Sequence, residues 1–145
     1  ALGSVATRYD VVLLDCPPSL GHLTVNALVA ADEVLVPLQC EYFALEGITD
    51  LMATVGRVRQ ALNPDLEIAG ILLTMFDERT NLAHDVAAEV RRHFAGNVYE
   101  TVVPRNVRLA EAPSHGRPVI DYAVKSRGAQ AYLELAREFL ERVAA

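Results

Sequence analysis

Short apolar runs alternating with helical repeats restrict this chain more than any other feature of its sequence. Tyr9-Asp-Val-Val-Leu-Leu14, Glu33-Val-Leu-Val-Pro-Leu38, Ile68-Ala-Gly-Ile-Leu-Leu-Thr-Met-Phe76 and Val98-Tyr-Glu-Thr-Val-Val103 are rich in β-branched residues and lack a 3.6-residue period. Runs of this kind are strands covered on both faces. Pro118-Val-Ile120 is a candidate fifth. Between them, apolar residues recur at three- and four-residue steps. Leu23 to Ala31 is one short helix. Leu45, Ile48, Leu51, Met52, Val55, Val58 and Leu62 form a second, stopped by Asn63-Pro64. Leu82, Val86, Val90 and Phe94 form a third, with Thr80 or Asn81 as N-cap and Gly96 as the stop. Ala129 to Val143 form the last, capped by Ser126. Strands alternating with helices predict an α/β fold of three layers, a mostly parallel sheet with helices on both faces. Residues 1–8 read as a lead-in and 9–145 as one unit.

Composition removes several alternatives. Of the 145 residues 52% are apolar and 22% charged, which suits a packed core and excludes a disordered chain. Two cysteines, Cys16 and Cys40, do not make a disulfide scaffold. No stretch of about 18 apolar residues exists to cross a bilayer. A basic segment followed by an apolar one is missing, so a cytoplasmic location is expected. The net charge of −6 disfavours a dedicated nucleic-acid binder but leaves room for a local basic patch. Twelve of the thirteen basic residues are arginine, and the only lysine is Lys125.

Ligands of open α/β sheets bind at the carboxyl ends of the strands. Asp15 ends the first run, and four apolar residues followed by Asp form the Walker B pattern. Such a carboxylate holds Mg²⁺ or its water shell, because Mg²⁺ keeps most of its waters and takes few carboxylates. The competing reading is a strand-end Asp that accepts backbone N–H groups in a turn. Cys16, beside the Pro17-Pro18 turn, reads as a small buried residue. Arg79 and Arg108 fall in separate loops near the same strand ends. His22, His84, His93 and His115 lack zinc spacing, and Ser19, Ser114 and Ser126 lack the Gly-x-Ser-x-Gly elbow of a hydrolase.

Several blocks taken together resemble the ParA/Soj family of chromosome- and plasmid-partition ATPases. They are Asp10-Val-Val-Leu-Leu-Asp-Cys-Pro-Pro-Ser-Leu-Gly21, Val36-Pro-Leu-Gln-Cys-Glu-Tyr-Phe-Ala-Leu-Glu-Gly47, Leu72-Leu-Thr-Met-Phe-Asp77, Arg79-Thr-Asn-Leu82 and Val103-Pro-Arg-Asn-Val-Arg-Leu-Ala-Glu-Ala-Pro-Ser-His-Gly116. The likeness runs from about residue 8 to the end, and the last block is the most specific. It implies a P-loop NTPase-like fold of the MinD superfamily, with ATP and Mg²⁺ as ligands. It also implies dimerisation on ATP, non-specific DNA binding, stimulation by a ParB/Spo0J-type partner, and a cytoplasmic, nucleoid-associated location; no membrane is expected as a partner. By motif, Asp15 matches the Walker B acid that reaches Mg²⁺ through water. Pro104, Arg105 and Asn106 match the loop along the nucleotide base. Arg79 and Arg108 match residues used for DNA contact, and Gln39–Gly47 matches a segment near the dimer interface.

One departure from that pattern shapes the expectations. The family's Lys-Gly-Gly-x-Gly-Lys-Thr loop, which cradles the phosphates, does not occur in these residues, and no glycine-rich turn precedes Lys125-Ser126. The chain therefore reads as the C-terminal part of a ParA-type ATPase domain, with no complete catalytic set and no ATP hydrolysis of its own. The resemblance places the phosphate-loop strand between the runs at 9–14 and 33–38. Those two runs are expected to pair directly, to swap with a second copy, or to stay unfolded. The alternatives to an ATPase part are a non-catalytic DNA- or protein-interaction module of the same fold, or a truncated remnant.

Overall fold

Three of the four apolar runs become neighbouring strands of one parallel sheet. The computed structural model describes residues 3–17 and 21–143, with the side chains of residues 5 and 6 excepted. In chain order the elements are α1 (Gly3–Ala6), α2 (His22–Ala30), β1 (Glu33–Gln39), α3 (Ala44–Ala61), β2 (Glu67–Phe76) and α4 (Asn81–His93). They continue with β3 (Val98–Pro104), α5 (Val107–Glu111), a 3₁₀ turn (Ala112–His115), α6 (Val119–Tyr122) and α7 (Arg127–Val143). The strand order is β1-β2-β3, with Glu33 opposite Glu67, Gln39 opposite Thr74, and Phe76 opposite Pro104. Parallel neighbours need crossovers, and α3 and α4 supply them.

Alternation along the strands sorts the core into two faces. Val36 and Leu38 of β1, Ile71 and Leu73 of β2 and Val98 of β3 pack with Ile48 of α3 and Val86 and Val90 of α4. On the opposite face Leu72, Tyr99 and Val103 meet Ala131 of α7, with Leu135 and Phe139 alongside. The short helix α2 joins through a third cluster in which Leu28 meets Val55, Val58 and Leu66. Asn63 ties that corner down. Its Nδ2 donates to the Leu28 and Ala31 carbonyls at 3.0 and 2.8 Å, satisfying acceptors left open where α2 ends.

Local signals account for the boundaries. The Thr80 hydroxyl accepts from the Ala83 N–H and starts α4, and Gly96 at φ 84° follows its end. Ser126 accepts from the Ala129 N–H at 3.2 Å and starts α7. A bulge interrupts the β1–β2 register between Val34 and Leu35, opposite Gly70. Gly70 sits at φ 152°, and a Cβ there would lie 2.6 Å from Cε2 of Tyr99, so only glycine fits.

The two outer edges of the sheet differ. At β3, the Glu138 carboxylate accepts from the N–H groups of Glu100 and Thr101 at 2.8 and 2.9 Å. Arg142 donates to the Val98 carbonyl at 3.0 Å, and its guanidinium lies 4.0 Å above the Tyr99 ring. Side chains of α7 thus take the bonds a further strand would make. At β1, no strand among the described residues pairs with the outer side.

Four sequence expectations need correction or comment. Residues 9–14 are not a buried strand: they are unpaired, and Tyr9, Val11, Val12, Leu13 and Leu14 are all exposed. Nor do they pair with residues 33–38. A strand persists only with a hydrogen-bonded neighbour and a covered face, and the neighbour implied by the resemblance is not among these residues. Cys16 shares that segment and is exposed, not buried. Pro118-Val-Ile120 opens the short helix α6 instead of a strand, with Pro118 in the position before its first turn. Pro18 and Ser19 lie outside the described residues.

Candidate functional site

The carboxyl ends of β2 and β3 frame a cleft of about 320 Å³ lined by Phe76, Asp77, Glu78, Arg79, Pro104, Arg105 and Arg127. The ladder itself makes it. The Arg105 N–H donates to the Phe76 carbonyl at 2.9 Å, so the turn after β3 is locked beside the turn after β2. Met75, just before the cleft, holds φ at 52°, an uncommon conformation for a residue with a side chain. Phe76 packs edge-on against His84 of α4.

The turn after β2 is closed by its own polar groups. Asp77 Oδ1 accepts from the Arg79 N–H at 3.1 Å, and the Thr80 hydroxyl donates to the Asp77 carbonyl at 3.0 Å. The Arg79 side chain folds back on the same carboxylate, with Nε on Oδ1 at 2.9 Å and Nη2 on Oδ2 at 2.7 Å. These hydrogen bonds from Arg79 hold the Asp77 carboxyl well below the usual carboxylate range and raise the guanidinium in return. Glu78 accepts from Arg127 Nη2 at 2.5 Å, joining this turn to the first residue of α7.

The turn after β3 carries a second cluster. Asn106 Oδ1 accepts from the Arg108 N–H at 2.9 Å and caps α5. Arg108 Nη1 donates to Glu111 Oε2 at 2.7 Å, and the Tyr122 hydroxyl donates to the same oxygen at 3.3 Å. These contacts raise the Arg108 guanidinium, Glu111 contributing most. His115 stacks on the Tyr122 ring at 4.9 Å.

Pro104, Arg105 and Arg79, read from separate sequence blocks, thus line one cleft. Asn106 caps the helix that leaves it, and Arg108 lies two residues farther on that helix. Asp15 is not brought into the group by any hydrogen bond or ion pair among the described residues, and it is exposed on the unpaired segment. No group of three or more His, Cys, Asp or Glu side chains able to hold a metal occurs among the described residues. Sequence reasoning placed Asp77 and Glu78 at the strand ends and Glu111 in a matching block but gave none of them a role, and it missed Arg127. Glu111 and Asp77 lie within three residues of their arginines and were legible as local charge pairs. The Arg127–Glu78 pair spans 49 positions and left no local signal.

Residues 1–68 match a family profile described as an AAA domain. Across almost the whole chain the sequence is similar to curated chromosome-partitioning proteins. The chromosome partitioning protein ParA of Myxococcus xanthus is 58% identical over 142 residues, which is 98% of this chain and 50% of that protein. ParA of Caulobacter vibrioides is 61% identical over 134 residues, 92% of this chain and 50% of that protein. The sporulation initiation inhibitor protein Soj of Bacillus subtilis is 58% identical over 138 residues, 95% of this chain and 54% of that protein. Among solved structures, cobyrinic acid a,c-diamide synthase from Mycobacterium smegmatis with a bound ATP analog and magnesium superposes with a TM-score of 0.80. It is 38% identical, covering 100% of this chain and 52% of that one. The cell division ATPase MinD of Pyrococcus furiosus shares the fold, with a TM-score of 0.74 at 23% identity over 97% of this chain and 55% of that one. The chain therefore belongs to the ParA/Soj family of chromosome-partitioning proteins, and it spans about half the length of the curated relatives it matches.

Proposed function

We propose that this chain supplies the base-side wall of the nucleotide site and the DNA-contact face of a ParA/Soj-type partition ATPase. The observation that carries this reading is the convergence of Phe76–Arg79 and Pro104–Arg105 on one cleft at the strand ends, in a chain 58% identical to ParA of Myxococcus xanthus. In it, Pro104 offers an apolar surface to a purine ring, Arg105 a guanidinium plane, and Asn106 the amide N–H groups its cap leaves free. Arg79 and Arg108 contact DNA phosphates. Asp15 would hold Mg²⁺ through a water molecule in the intact protein. In the intact protein these parts serve ATP-dependent dimerisation, non-specific DNA binding and ATP hydrolysis stimulated by a ParB/Spo0J-type partner, in the cytoplasm at the nucleoid.

The residues present fit the two ends of a Mg·ATP site unequally. The cleft suits a base. The phosphate end is not built here: Asp15 stands alone on an exposed segment, and no Gly-x-x-x-x-Gly-Lys-Ser/Thr loop occurs in the 145 residues. Phosphoryl transfer depends on positioning and charge neutralisation. No hydrolytic step is therefore assigned to this chain by itself. Titration with a fluorescent ATP analogue tests the reading. Binding should weaken in Arg105→Ala, and phosphate release should stay at the blank level. Binding indifferent to Arg105→Ala, or Mg²⁺-dependent turnover abolished by Asp15→Ala, would refute it.

The second reading, a non-catalytic DNA-binding module, draws on the exposure of the Arg79 and Arg108 side chains, 86% and 52%. Salt-sensitive duplex binding lost in Arg79→Ala/Arg108→Ala, with no nucleotide binding, would favour it.

A further inference from the structure

Three arginines in or beside the cleft, Arg79, Arg127 and Arg108, are not free cations. Arg79 is clamped by Asp77, with both oxygens of the carboxylate on two nitrogens of the guanidinium. Arg127 is held by Glu78, and Arg108 by Glu111. Glu111 is itself steadied by the Tyr122 hydroxyl. A guanidinium meets carboxylate and phosphate through the same fork of N–H donors, so a bidentate carboxylate occupies the edge a phosphate would use. Each pair nevertheless faces water. The arginine side chains are 86%, 69% and 52% exposed, and those of Asp77, Glu78 and Glu111 are 20%, 58% and 37% exposed. Solvated pairs of this kind hold weakly, whereas duplex DNA presents about one charge per 1.7 Å.

Resting on the reading that Arg79 and Arg108 contact DNA, we infer that Asp77, Glu78 and Glu111 are built-in counter-ions competing with nucleic-acid phosphate for Arg79, Arg127 and Arg108. Arg127 is the third phosphate contact. The arrangement also gives physical sense to a DNA face on a chain of net charge −6. Each cation is neutralised until a dense run of phosphates displaces its carboxylate, so isolated anions and weak encounters are rejected.

The test is fluorescence anisotropy of the whole 145-residue chain with a labelled mixed-sequence duplex, in a salt titration. Asp77→Asn keeps Oδ1 to accept the Arg79 N–H, so the turn survives while the charge is lost. The variant Asp77→Asn/Glu78→Gln/Glu111→Gln should bind roughly two- to fivefold tighter for each carboxylate neutralised. A charge-matched control, Asp32→Asn/Asp65→Asn/Glu67→Gln, alters exposed acids at the amino ends of β1 and β2 and should move affinity by less than about twofold. In an Arg79→Ala/Arg108→Ala/Arg127→Ala background the three neutralisations of their paired carboxylates should bring no gain. A gain equal to that of the control, or one that persists without the arginines, overturns the counter-ion inference alone. Binding unaffected by Arg79→Ala/Arg108→Ala, or no binding by any variant at low salt, overturns the DNA reading beneath it. The single variants Asp77→Asn and Glu111→Gln, each expected to tighten binding, keep the outcome decisive if the triple variant does not fold.

Discussion

Replacing Glu138 tests how this sheet ends. The carboxylate accepts from two β3 backbone N–H groups at 2.8 and 2.9 Å and from Arg142 Nη2 at 2.8 Å, with the side chain 18% exposed. Hydrogen bonds to a charged group contribute about 1.5–3 kcal/mol, and a stranded buried donor costs about 1–3 kcal/mol. Glu100 lies at the surface, where water can replace the lost acceptor, so the lower half of those ranges applies to it. Glu138→Ala should therefore cost about 2–3 kcal/mol, and Glu138→Gln, which keeps one acceptor oxygen, about half that. With a urea dependence of about 2 kcal/mol per molar, the alanine variant should unfold at a midpoint lower by about 1–1.5 M, followed by helical circular dichroism. A pH arm separates charge from packing. Burial pushes the Glu138 carboxyl up, but hydrogen bonds from Thr101, Glu100 and Arg142 pull it further down, so it lies below the ordinary value of 4.5. A depressed folded value means the carboxylate's contribution is complete above that ordinary value. It is lost as pH falls from there through the folded one. The parent should lose more stability over that window than Glu138→Gln. A midpoint for Glu138→Ala within about 0.2 M of the parent, or equal acid sensitivity in both proteins, would refute the argument.

Three further outcomes are expected. Gly70→Ala forces a Cβ to within 2.6 Å of Tyr99 Cε2 at a φ of 152°, beneath a ring held by Arg142. It should cost about 2–5 kcal/mol in urea unfolding, and a change under about 0.5 kcal/mol would show that the bulge tolerates a side chain. The Tyr99 hydroxyl is buried without a hydrogen-bond partner among the described residues. Tyr99→Phe should leave the melting temperature unchanged or raise it, and a loss above about 1 kcal/mol would mean the hydroxyl is bonded. Cys16 is exposed, whereas burial pushes the Cys40 thiol up to about 11 against a smaller downward pull from Arg91. A disulfide-exchange reagent should find one fast thiol in the folded chain, absent in Cys16→Ser; two fast thiols would place Cys40 at the surface.

Much of this architecture was legible in local pattern. The runs at 33–38, 68–76 and 98–103 became β1, β2 and β3 because near-continuous apolar, β-branched runs suit a sheet with both faces covered. The helix of Leu82, Val86 and Val90 was readable together with its cap, Thr80. The turns carrying Arg79 and Pro104–Arg105 were readable as strand-end loops, where an α/β sheet collects ligands. The short helix at 119–122 was not, since two apolar residues after a proline suit either conformation. The segment 9–14 was misjudged for another reason. Its composition is that of a buried strand, but a strand is a relation between neighbours.

That difference divides what each level decided. Periodicity, caps and breakers act over one to four residues, so the sequence by itself determined the order and kind of the main elements and the residues available at their ends. Closure of the β3 edge by Glu138 and Arg142, the meeting of Glu78 with Arg127, and the exposure of Leu13 were decided only in three dimensions. They depend on which surfaces come into contact after the chain has crossed itself, and hydrogen bonding and burial are properties of those contacts, not of the residues alone.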